Sequence, residues 1–207
     1  MTLPKLYPIV DKAMLDVRGI GVAEYARTLR DAGVTLLQYR DKSGAPQEVL
    51  RAAEEISAVF ADVDATLILN DRADLAALAG WGVHVGHLDL APADARRVVG
   101  AGSVIGVSTH NDAQVIAADA SEADYIAVGP VFATSTKADA EPVIGLEGVR
   151  RARALTSKPL VAIGGITLEN ARSVIEAGAD SVAVIGGLLV KGEQPGKVAG
   201  DFLEILR

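Results

Sequence analysis

The sequence predicts a (β/α)8 barrel, a fold of the α/β class in which eight parallel strands close into a cylinder surrounded by helices. Short apolar runs rich in β-branched residues alternate with amphipathic segments of helical length, which is typical of parallel βα units. Eight such pairs can be counted, the number that closes a TIM barrel. The chain has 207 residues, enough for one domain of this kind over residues 1–207.

The predicted strands are short, and turn residues bound each of them. They cover Leu6–Val10, Thr35–Tyr39, Thr66–Leu69, Gly82–Val85, Val104–Val107, Tyr125–Val128, Leu160–Ile163 and Ser181–Ile185. A helical pattern follows each strand, because a parallel strand needs a crossover connection before the next one. The predicted helices lie near Val22–Asp31, Pro46–Phe60, Asp71–Leu78, Ala91–Val99, Asn111–Ala120, Leu146–Thr156, Leu168–Ala177 and Gly196–Leu206.

Residues that favour helix ends support these boundaries. Asn111 and Thr167 are candidate N-caps, and Pro46 and Pro92 suit the first turn of a helix. Glycines stand where helices should end, and they tolerate the left-handed backbone of a C-terminal cap: Gly33, Gly80 and Gly178.

A doubly wound open sheet is the competing fold, since it also alternates strands and helices. The turn after Val10 lacks the Gly-x-Gly-x-x-Gly fingerprint that such sheets use to bind dinucleotides. Eight units in succession also favour closure into a barrel.

The composition excludes several classes of function. With 20 Lys and Arg against 27 Asp and Glu, the net charge of -7 disfavours binding to nucleic acid or to anionic membranes, but it allows a local basic site for phosphates. The chain has no cysteine, which excludes disulfides and Cys-ligated metals, and its three histidines argue against a His-rich metal site. Without a signal-peptide pattern or an apolar run of about 18 residues, we expect a cytoplasmic protein with no membrane partner.

Polar residues collect where the predicted strands end, which is the edge where barrels build active sites. The second strand ends in Gln38-Tyr39-Arg40-Asp41-Lys42, and period-two alternation sends Gln38, Arg40 and Lys42 to one side. The two cations suit a diphosphate, and the amide can read the edge of a heterocyclic base. The alternative is a solvated strand end with ordinary surface charges.

Two carboxylates follow neighbouring strands. Asp71 comes after the third strand in Asn70-Asp71-Arg72, and Asp89 comes after the fourth in Gly86-His87-Leu88-Asp89. Mg²⁺ usually takes one or two protein carboxylates and completes its shell with water and substrate phosphates, so this pair is an adequate site for one ion. The alternative makes Asp71 a helix N-cap and Asp89 a loop acid.

Histidines and one serine near these ends have less certain roles. His84 is either a packed residue or a site residue, and His87 is a rim group. Ser108 follows the fifth strand just before a helix start, where anions are favoured, and is a candidate phosphate donor. A nucleophilic Ser108 would need a base, and neither a nucleophile elbow nor the nearby His110 establishes one.

The last three strands end in hydroxyl and glycine residues. The loop Gly129-Pro130-Val131-Phe132-Ala133-Thr134-Ser135-Thr136-Lys137 carries three hydroxyls and a lysine, which suit a phosphate. The pairs Gly164-Gly165 and Gly186-Gly187 allow backbone N–H groups to approach an anion, as in the phosphate sites of many barrels. Simple turn geometry is the alternative explanation of each pair.

Taken in order, these residues resemble the thiamine phosphate synthase family. The motifs that carry the resemblance are Gln38-x-Arg40-x-Lys42, Asn70-Asp71, Gly82-Val83-His84-x-Gly86-x-x-Asp89, Gly106-x-Ser108, Gly129-Pro130-x-Phe132-x-Thr134-x-Thr136-Lys137, Gly164-Gly165-Ile166 and Val182-Ala183-Val184. The glycine motifs are weak alone, but seven matches in register over nearly the whole chain are highly specific. The resemblance implies a transferase that couples 4-amino-2-methyl-5-hydroxymethylpyrimidine diphosphate with thiazole phosphate, or its carboxylated form, assisted by Mg²⁺.

The resemblance also assigns roles to residues. Binding of the pyrimidine diphosphate is assigned to Gln38, Tyr39, Arg40, Asp41, Lys42, Asn70, Ser108 and Lys137, of which Arg40, Lys42, Ser108 and Lys137 are the expected catalytic residues. Binding of the thiazole phosphate is assigned to Thr134, Ser135, Thr136, Gly164, Gly165, Ile185 and Gly186. Asp71 and Asp89 match the Mg²⁺ ligands. The expected partners are two phosphorylated small molecules, with a homo-oligomer as an open alternative.

The sequence departs from the family pattern at three places. Gly86-His87-Leu88-Asp89 stands where Gly-Gln-Glu-Asp is common, which keeps the metal ligand. Gly186 stands where Ser is common, which removes a hydroxyl contact to the thiazole phosphate but keeps the backbone N–H. Ala133-Thr134-Ser135 is a local variation.

Three other functions compete with this interpretation. A thiazole tautomerase of the same superfamily would have little use for Arg40, Lys42 and the carboxylate pair together. A non-catalytic phosphate-binding barrel would be expected to have lost one or more of these charges. A phosphate-sugar isomerase barrel would explain the glycines but not the metal pair.

Overall fold

The strands pair in chain order, and the last pairs with the first, so the parallel sheet closes into the predicted barrel. The computed structural model describes residues 1–134 and 142–207. Its strands are β1 Leu6–Asp11, β2 Leu36–Arg40, β3 Thr66–Asn70, β4 Gly82–Val85, β5 Ile105–Thr109, β6 Tyr125–Val128, β7 Leu160–Ile163 and β8 Ser181–Val184. Every predicted strand is therefore confirmed, with ends displaced by at most two residues.

Helices surround the barrel in the predicted order. They are α1 Lys12–Asp16, α2 Val22–Asp31, α3 Pro46–Val59, α4 Ala73–Ala79, α5 Pro92–Val99, α6 Asp112–Asp119, α7 Gly145–Leu155, α8 Ala171–Glu176 and α9 Pro195–Ile205. A 3₁₀ helix over Gly186–Leu188 lies between β8 and α9. Over the two described ranges, none of the helices is long and apolar enough to cross a membrane.

Two apolar layers hold the barrel together, because alternate residues of each strand face opposite sides. The outward-facing set, such as Leu6, Val10 and Leu37, packs against the helices. The inward-facing set fills the cylinder and consists of Leu3, Tyr7, Ile9, Leu36, Ile68, Tyr125, Ala127, Val161 and Ala183. Burial on both faces explains why the strands read as continuous apolar runs in the sequence.

Most predicted helix ends are confirmed. The Asn111 side chain accepts a hydrogen bond from the N–H of Gln114 at 3.0 Å, as an N-cap does. Pro46 and Pro92 are the first residues of α3 and α5. The three glycines at helix ends have positive φ: Gly33 at 96°, Gly80 at 70° and Gly178 at 112°.

The prediction of Thr167 as an N-cap is wrong. A separate turn over residues 167–170 precedes α8, and Asn170 is the residue that flanks the first helical position. The side chain of Asn170 accepts a hydrogen bond from the N–H of Thr167 at 2.9 Å, which closes this turn. The helix therefore begins three residues later than the apolar periodicity suggests.

Two short helices were not predicted. The helix α1 is capped by Asp11, whose Oδ1 accepts a hydrogen bond from the N–H of Met14 at 3.0 Å. The 3₁₀ helix begins directly after Ile185, where the sequence indicates only a glycine turn. Segments of five and three residues are too short to show helical periodicity, which is why the sequence conceals them.

Candidate active site

A cavity of about 560 Å³ opens at the end of the barrel where the strands have their carboxyl ends. This volume is in the range that holds a small organic ligand. The predicted site residues that line it are Gln38, Arg40, Asn70, Ser108, Thr134, Gly164, Gly165, Ile185 and Gly186. The structure thus brings residues from six strands to one cavity, as the position of active sites in barrels predicts.

Eight other predicted residues either do not line the cavity or lie outside the described ranges. Lys42, Asp71 and Asp89 follow the ends of β2, β3 and β4, and each of these strands contributes at least one residue to the cavity wall. Ser135, Thr136 and Lys137 lie outside the described residues. The roles of the loop lysine and of two of the three loop hydroxyls therefore stay predictions.

Tyr39 and Asp41 are placed away from the cavity. Tyr39 faces the helices, as expected for a residue that alternates with Gln38 and Arg40, and its hydroxyl donates to Asp41 Oδ2 at 3.3 Å. Asp41 Oδ1 accepts hydrogen bonds from the N–H groups of Ser43 and Gly44, at 3.1 and 2.8 Å. These two side chains fix the turn after β2. Their contact with the pyrimidine diphosphate, which the resemblance implies, stays a prediction.

Arg40 is held by a buried carboxylate that the sequence motifs do not include. Asp11 ends β1 opposite Arg40 in the strand register, and its Oδ2 accepts from Arg40 Nη1 at 2.5 Å. Only 3% of the Asp11 side chain is exposed, against 18% of Arg40. The ion pair fixes the guanidinium at the cavity wall and offsets its charge. The sequence feature that could have identified Asp11 is its position as an acidic residue at the carboxyl end of β1.

The carboxylate pair forms a small electrostatic cluster with Lys42. Lys42 donates to Asp71 Oδ2, while Asp89 Oδ2 accepts from the N–H of Gly86 at 2.7 Å. Partial burial, followed by the neighbouring Asp71 carboxylate, raises the pKa of Asp89. Two carboxylates this close are destabilised unless a cation lies between or beside them.

The backbone at Asp71 helps to aim its carboxylate. Asp71 has a φ of 62°, which non-glycine residues seldom adopt, and its N–H donates to the carbonyl of His84 at 2.7 Å. The residue that flanks α4 is Arg72, so Asp71 is not the helix N-cap of the alternative interpretation.

Within the described ranges no group of three or more His, Asp or Glu side chains is placed to hold a metal ion. The donor set is a carboxylate pair, which suits a magnesium ion that keeps water and phosphate ligands.

Asn70 lines the cavity and carries an unsatisfied donor. Its Nδ2 is buried and has no hydrogen-bond partner in the described part of the chain. An unpaired buried amide costs about 1–3 kcal/mol, so such groups usually have a ligand or ordered water as partner. This donor points to a ligand with hydrogen-bond acceptors.

A chain of hydrogen bonds crosses the barrel interior to Ser108. Gln38 Nε2 donates to the Tyr7 hydroxyl at 2.9 Å, and the Tyr7 and Tyr125 hydroxyls are 2.8 Å apart. His84 Nδ1 lies 2.9 Å from the Tyr125 hydroxyl, and His84 Nε2 lies 2.8 Å from Ser108 Oγ. His84 is therefore a buried, bonded residue, and burial raises the pKa of both phenols.

Donor and acceptor counting gives this chain a direction. Tyr7 accepts from Gln38, so its own proton must go to Tyr125, whose proton then goes to His84 Nδ1. The reverse direction would leave the Tyr7 proton without an acceptor among the described residues. His84 consequently carries its proton on Nε2 and donates it to Ser108, and the Ser108 hydroxyl is left to donate into the cavity.

Ser108 is hydrogen-bonded to His84 and not to His110, the histidine that lies near it in the sequence. His110 Nδ1 lies 2.7 Å from the carbonyl of Gly129, and its ring is thereby turned to the loop after β6. The histidine beside Ser108 is His84, whose Nε2–H donates to the serine hydroxyl. With this direction His84 donates to Ser108 and does not accept its proton, so the geometry of the described residues gives Ser108 no general base.

The glycines at the ends of β7 and β8 are required by packing. Gly165 has a φ of 63°, and a Cβ there would lie 2.5 Å from the carbonyl oxygen of Ala133. A Cβ on Gly187 would lie 2.4 Å from the carbonyl oxygen of Ile166. Close approach of backbone segments explains these residues, and it also leaves their side of the cavity lined by backbone.

Comparison with known proteins shows which family the chain belongs to. The family model described as thiamine monophosphate synthase matches residues 6–188. The chain is 52% identical, over 100% of its length and 97% of the relative, to the thiamine-phosphate synthase of Koribacter versatilis (strain Ellin345). It is 43% identical to the thiamine-phosphate synthase of Methanoculleus marisnigri (strain ATCC 35101 / DSM 1498 / JR1), over 91% of this chain and 89% of the relative.

Solved structures give the same result for the fold. The thiamine phosphate pyrophosphorylase of Pyrococcus furiosus superimposes with a TM-score of 0.86 at 30% identity, over 98% of this chain and 95% of that one. A tryptophan synthase alpha-subunit from the same organism superimposes with a TM-score of 0.71 at 15% identity, over 98% and 97% of the two chains. At 15% identity, the similarity to the tryptophan synthase alpha-subunit shows a shared barrel fold and nothing about function.

Proposed function

Because the chain belongs to the thiamine monophosphate synthase family, we propose that it couples 4-amino-2-methyl-5-hydroxymethylpyrimidine diphosphate with thiazole phosphate, or its carboxylated form. The products are thiamine phosphate and diphosphate, which makes the enzyme a transferase. The observation that carries the proposal is the convergence of Arg40, Asn70 and Ser108 on one cavity, with Lys42 and two carboxylates beside it.

The pyrimidine diphosphate is proposed to occupy the side formed by β2 to β5. Arg40 presents a fixed guanidinium, Asn70 an unpaired amide and Ser108 a hydroxyl whose proton is directed into the cavity. Charged and neutral donors of this kind bind phosphate oxygens, and Gln38 provides an amide for the ring. Lys42 and, from its motif alone, Lys137 add positive charge.

Asp71 and Asp89 are the residues proposed to hold Mg²⁺. Their mutual proximity and the absence of further metal-binding side chains in the described ranges suit an ion that keeps substrate and water ligands. When bound, Mg²⁺ would neutralise charge on the departing diphosphate. Lys42, which donates to Asp71, would then be released toward the same phosphate oxygens.

The proposed reaction is a dissociative substitution. The bond between the pyrimidine methylene carbon and the diphosphate oxygen breaks, and its electron pair leaves with the diphosphate. The amino-substituted ring donates electron density to the methylene carbon, which the thiazole nitrogen then attacks with its lone pair. No general base is needed, since the nitrogen carries no proton, and carboxylated thiazole would additionally release CO₂.

The thiazole phosphate is proposed to bind on the opposite side, at the ends of β6 to β8. Thr134, Gly164, Gly165, Ile185 and Gly186 line this side, and the motif adds Ser135 and Thr136. Anchoring the phosphate here would hold the thiazole nitrogen near the methylene carbon, which converts a bimolecular encounter into a local one.

The proposal is tested by assaying the purified protein with both substrates. We expect thiamine phosphate and diphosphate in equal amounts, dependence on both substrates, and loss of turnover when a chelator removes Mg²⁺. Asp89→Ala should raise the Mg²⁺ concentration for half-maximal rate by about tenfold or more. Asp94→Ala, an exposed acid paired with Arg97 on α5, is the matched control and should leave it unchanged. Diphosphate release that is indifferent to the thiazole phosphate would contradict the proposal.

A further inference from the structure

Arg18 is a second arginine that lines the cavity, and the family motifs assign it no role. Arg18 follows the short helix α1 and contributes to the cavity wall together with Gly186 and Gly187. The sequence motifs do not include it, because it lies beyond the end of a predicted strand in a segment without helical periodicity. It enters the cavity wall from the β1 side of the barrel.

The hydrogen bonds of Arg18 place it next to β8. Its Nη1 donates to the carbonyl of Met14 at 3.1 Å, and its Nη2 lies 3.4 Å from the carbonyl of Leu189, just after the 3₁₀ helix. Arg40, in contrast, is bound on the other side of β1, where Asp11 pairs with β2. The two arginines therefore line the same cavity on either side of β1, Arg40 toward β2 and Arg18 toward β8.

Arg40 and Arg18 also differ in whether a carboxylate compensates their charge. Arg40 is neutralised by the buried carboxylate of Asp11. Arg18 forms no ion pair within residues 1–134 and 142–207, and its two hydrogen-bond acceptors are backbone carbonyls. A guanidinium has five donors, so most of the Arg18 fork remains available to a ligand. Of the two arginines that line the cavity, Arg18 is the one whose charge no carboxylate of the described residues compensates.

We propose that Arg18 binds the phosphate of the second substrate, the thiazole phosphate, and neutralises it. This inference rests on the proposed function and adds a residue to it. The wall formed by Gly164, Gly165, Gly186 and Gly187 offers backbone groups and no charged side chain. A phosphate bound there needs a cation, and the planar fork of arginine matches two phosphate oxygens.

Substitution of Arg18 should have a selective effect on one substrate. Arg18→Gln should raise the KM for thiazole phosphate about tenfold or more, because a charged hydrogen bond to phosphate is lost. The KM for the pyrimidine diphosphate should stay within about twofold. With the dephosphorylated thiazole alcohol as acceptor, wild type and variant should have the same KM. Arg18→Lys, which keeps the charge without the fork, should lie between the two for thiazole phosphate.

The matched control is Arg172→Gln. Arg172 is also exposed and also donates to a backbone carbonyl, that of Ile205, but it lies on the outer surface between α8 and α9. It should leave both KM values unchanged. If Arg18→Gln does not fold, Arg18→Lys and the thiazole alcohol comparison carry the test.

The outcomes separate this inference from the proposed function. A wild-type protein that forms no thiamine phosphate would overturn the proposed function. An active wild type whose KM for thiazole phosphate is unaffected by Arg18→Gln would overturn the inference alone. An equal loss of affinity for the thiazole alcohol would also overturn it, because Arg18 would then support the wall of the cavity and not the phosphate.

Discussion

At the scale of single residues, Asp11 connects the fold to the site. One carboxylate oxygen caps α1 and the other holds Arg40, so the same buried group starts a helix and orients a cation at the cavity. A buried ion pair contributes little net stability, but removing one partner leaves an uncompensated charge. Asp11 is therefore a positioning residue for Arg40.

This role predicts the effect of Asp11→Asn. The amide oxygen can still cap α1, but the negative charge beside Arg40 is lost. We expect the free energy of unfolding in urea to fall by about 1–3 kcal/mol, below the cost of a fully buried charge because Arg40 is partly solvated. The value of kcat/KM should fall as well. Asp16→Asn, which breaks an exposed pair with Lys12, should change stability by about 0.5 kcal/mol or less. Equal effects of the two substitutions would contradict the assignment.

At the scale of elements, Gly106 of β5 allows β4 and β6 to interact across it. The strand register places Gly106 beside both His84 and Tyr125, whose rings stack with centroids 5.5 Å apart. A Cβ on Gly106 would lie 2.0 Å from Tyr125 Cζ. The missing side chain is what gives His84 Nδ1 access to the Tyr125 hydroxyl, and so gives Ser108 its orientation.

We therefore expect Gly106→Ala to damage both packing and the hydrogen-bond chain. Overpacking costs about 1–3 kcal/mol, measurable by urea unfolding. The ¹⁵N chemical shifts of His84 should report protonation on Nε2 in the wild type and a mixture of tautomers in the variant. Gly102→Ala is the control, because a Cβ on Gly102 would have no atom within 4 Å and its φ is not positive. Unchanged His84 shifts in Gly106→Ala would refute this account of the chain.

At the scale of the whole molecule, all four tyrosines are buried: Tyr7, Tyr25, Tyr39 and Tyr125. Burial is the main cause that raises the pKa of each above the ordinary value of 10.0. For Tyr39 and Tyr125, the neighbouring Asp41 and Tyr7 raise the pKa further. The folded barrel thus keeps these four phenols protonated at a pH at which a free phenol would ionise.

Proton linkage turns these shifts into a prediction about alkaline stability. The unfolded chain loses phenolic protons near pH 10.0, while the folded chain retains them, so the tyrosines do not change stability below that pH and lower it above that pH. The fall is about 1.4 kcal/mol per pH unit for each tyrosine. We expect tyrosinate absorbance to appear cooperatively, together with loss of the circular dichroism of the barrel. In denaturant the same absorbance should titrate gradually near pH 10.0, and gradual titration of the folded protein would contradict the prediction.

The sequence by itself determined the barrel, its strand order and nine of the residues that line the cavity. Strand alternation and the rule that barrels work at their carboxyl ends depend on local periodicity, which is why Gln38, Arg40, Asn70 and Ser108 could be selected without coordinates. Membership of the family followed from motifs spaced along the whole chain.

Only the tertiary structure decided which of these groups touch one another. The pairing of Asp11 with Arg40, the chain from Gln38 to Ser108 and the position of Arg18 beside Leu189 join residues far apart in sequence. Such contacts depend on barrel closure and side-chain direction, and no local pattern encodes them. The charge and the proton direction at the cavity follow from these long-range contacts, and these two properties decide what the site can bind.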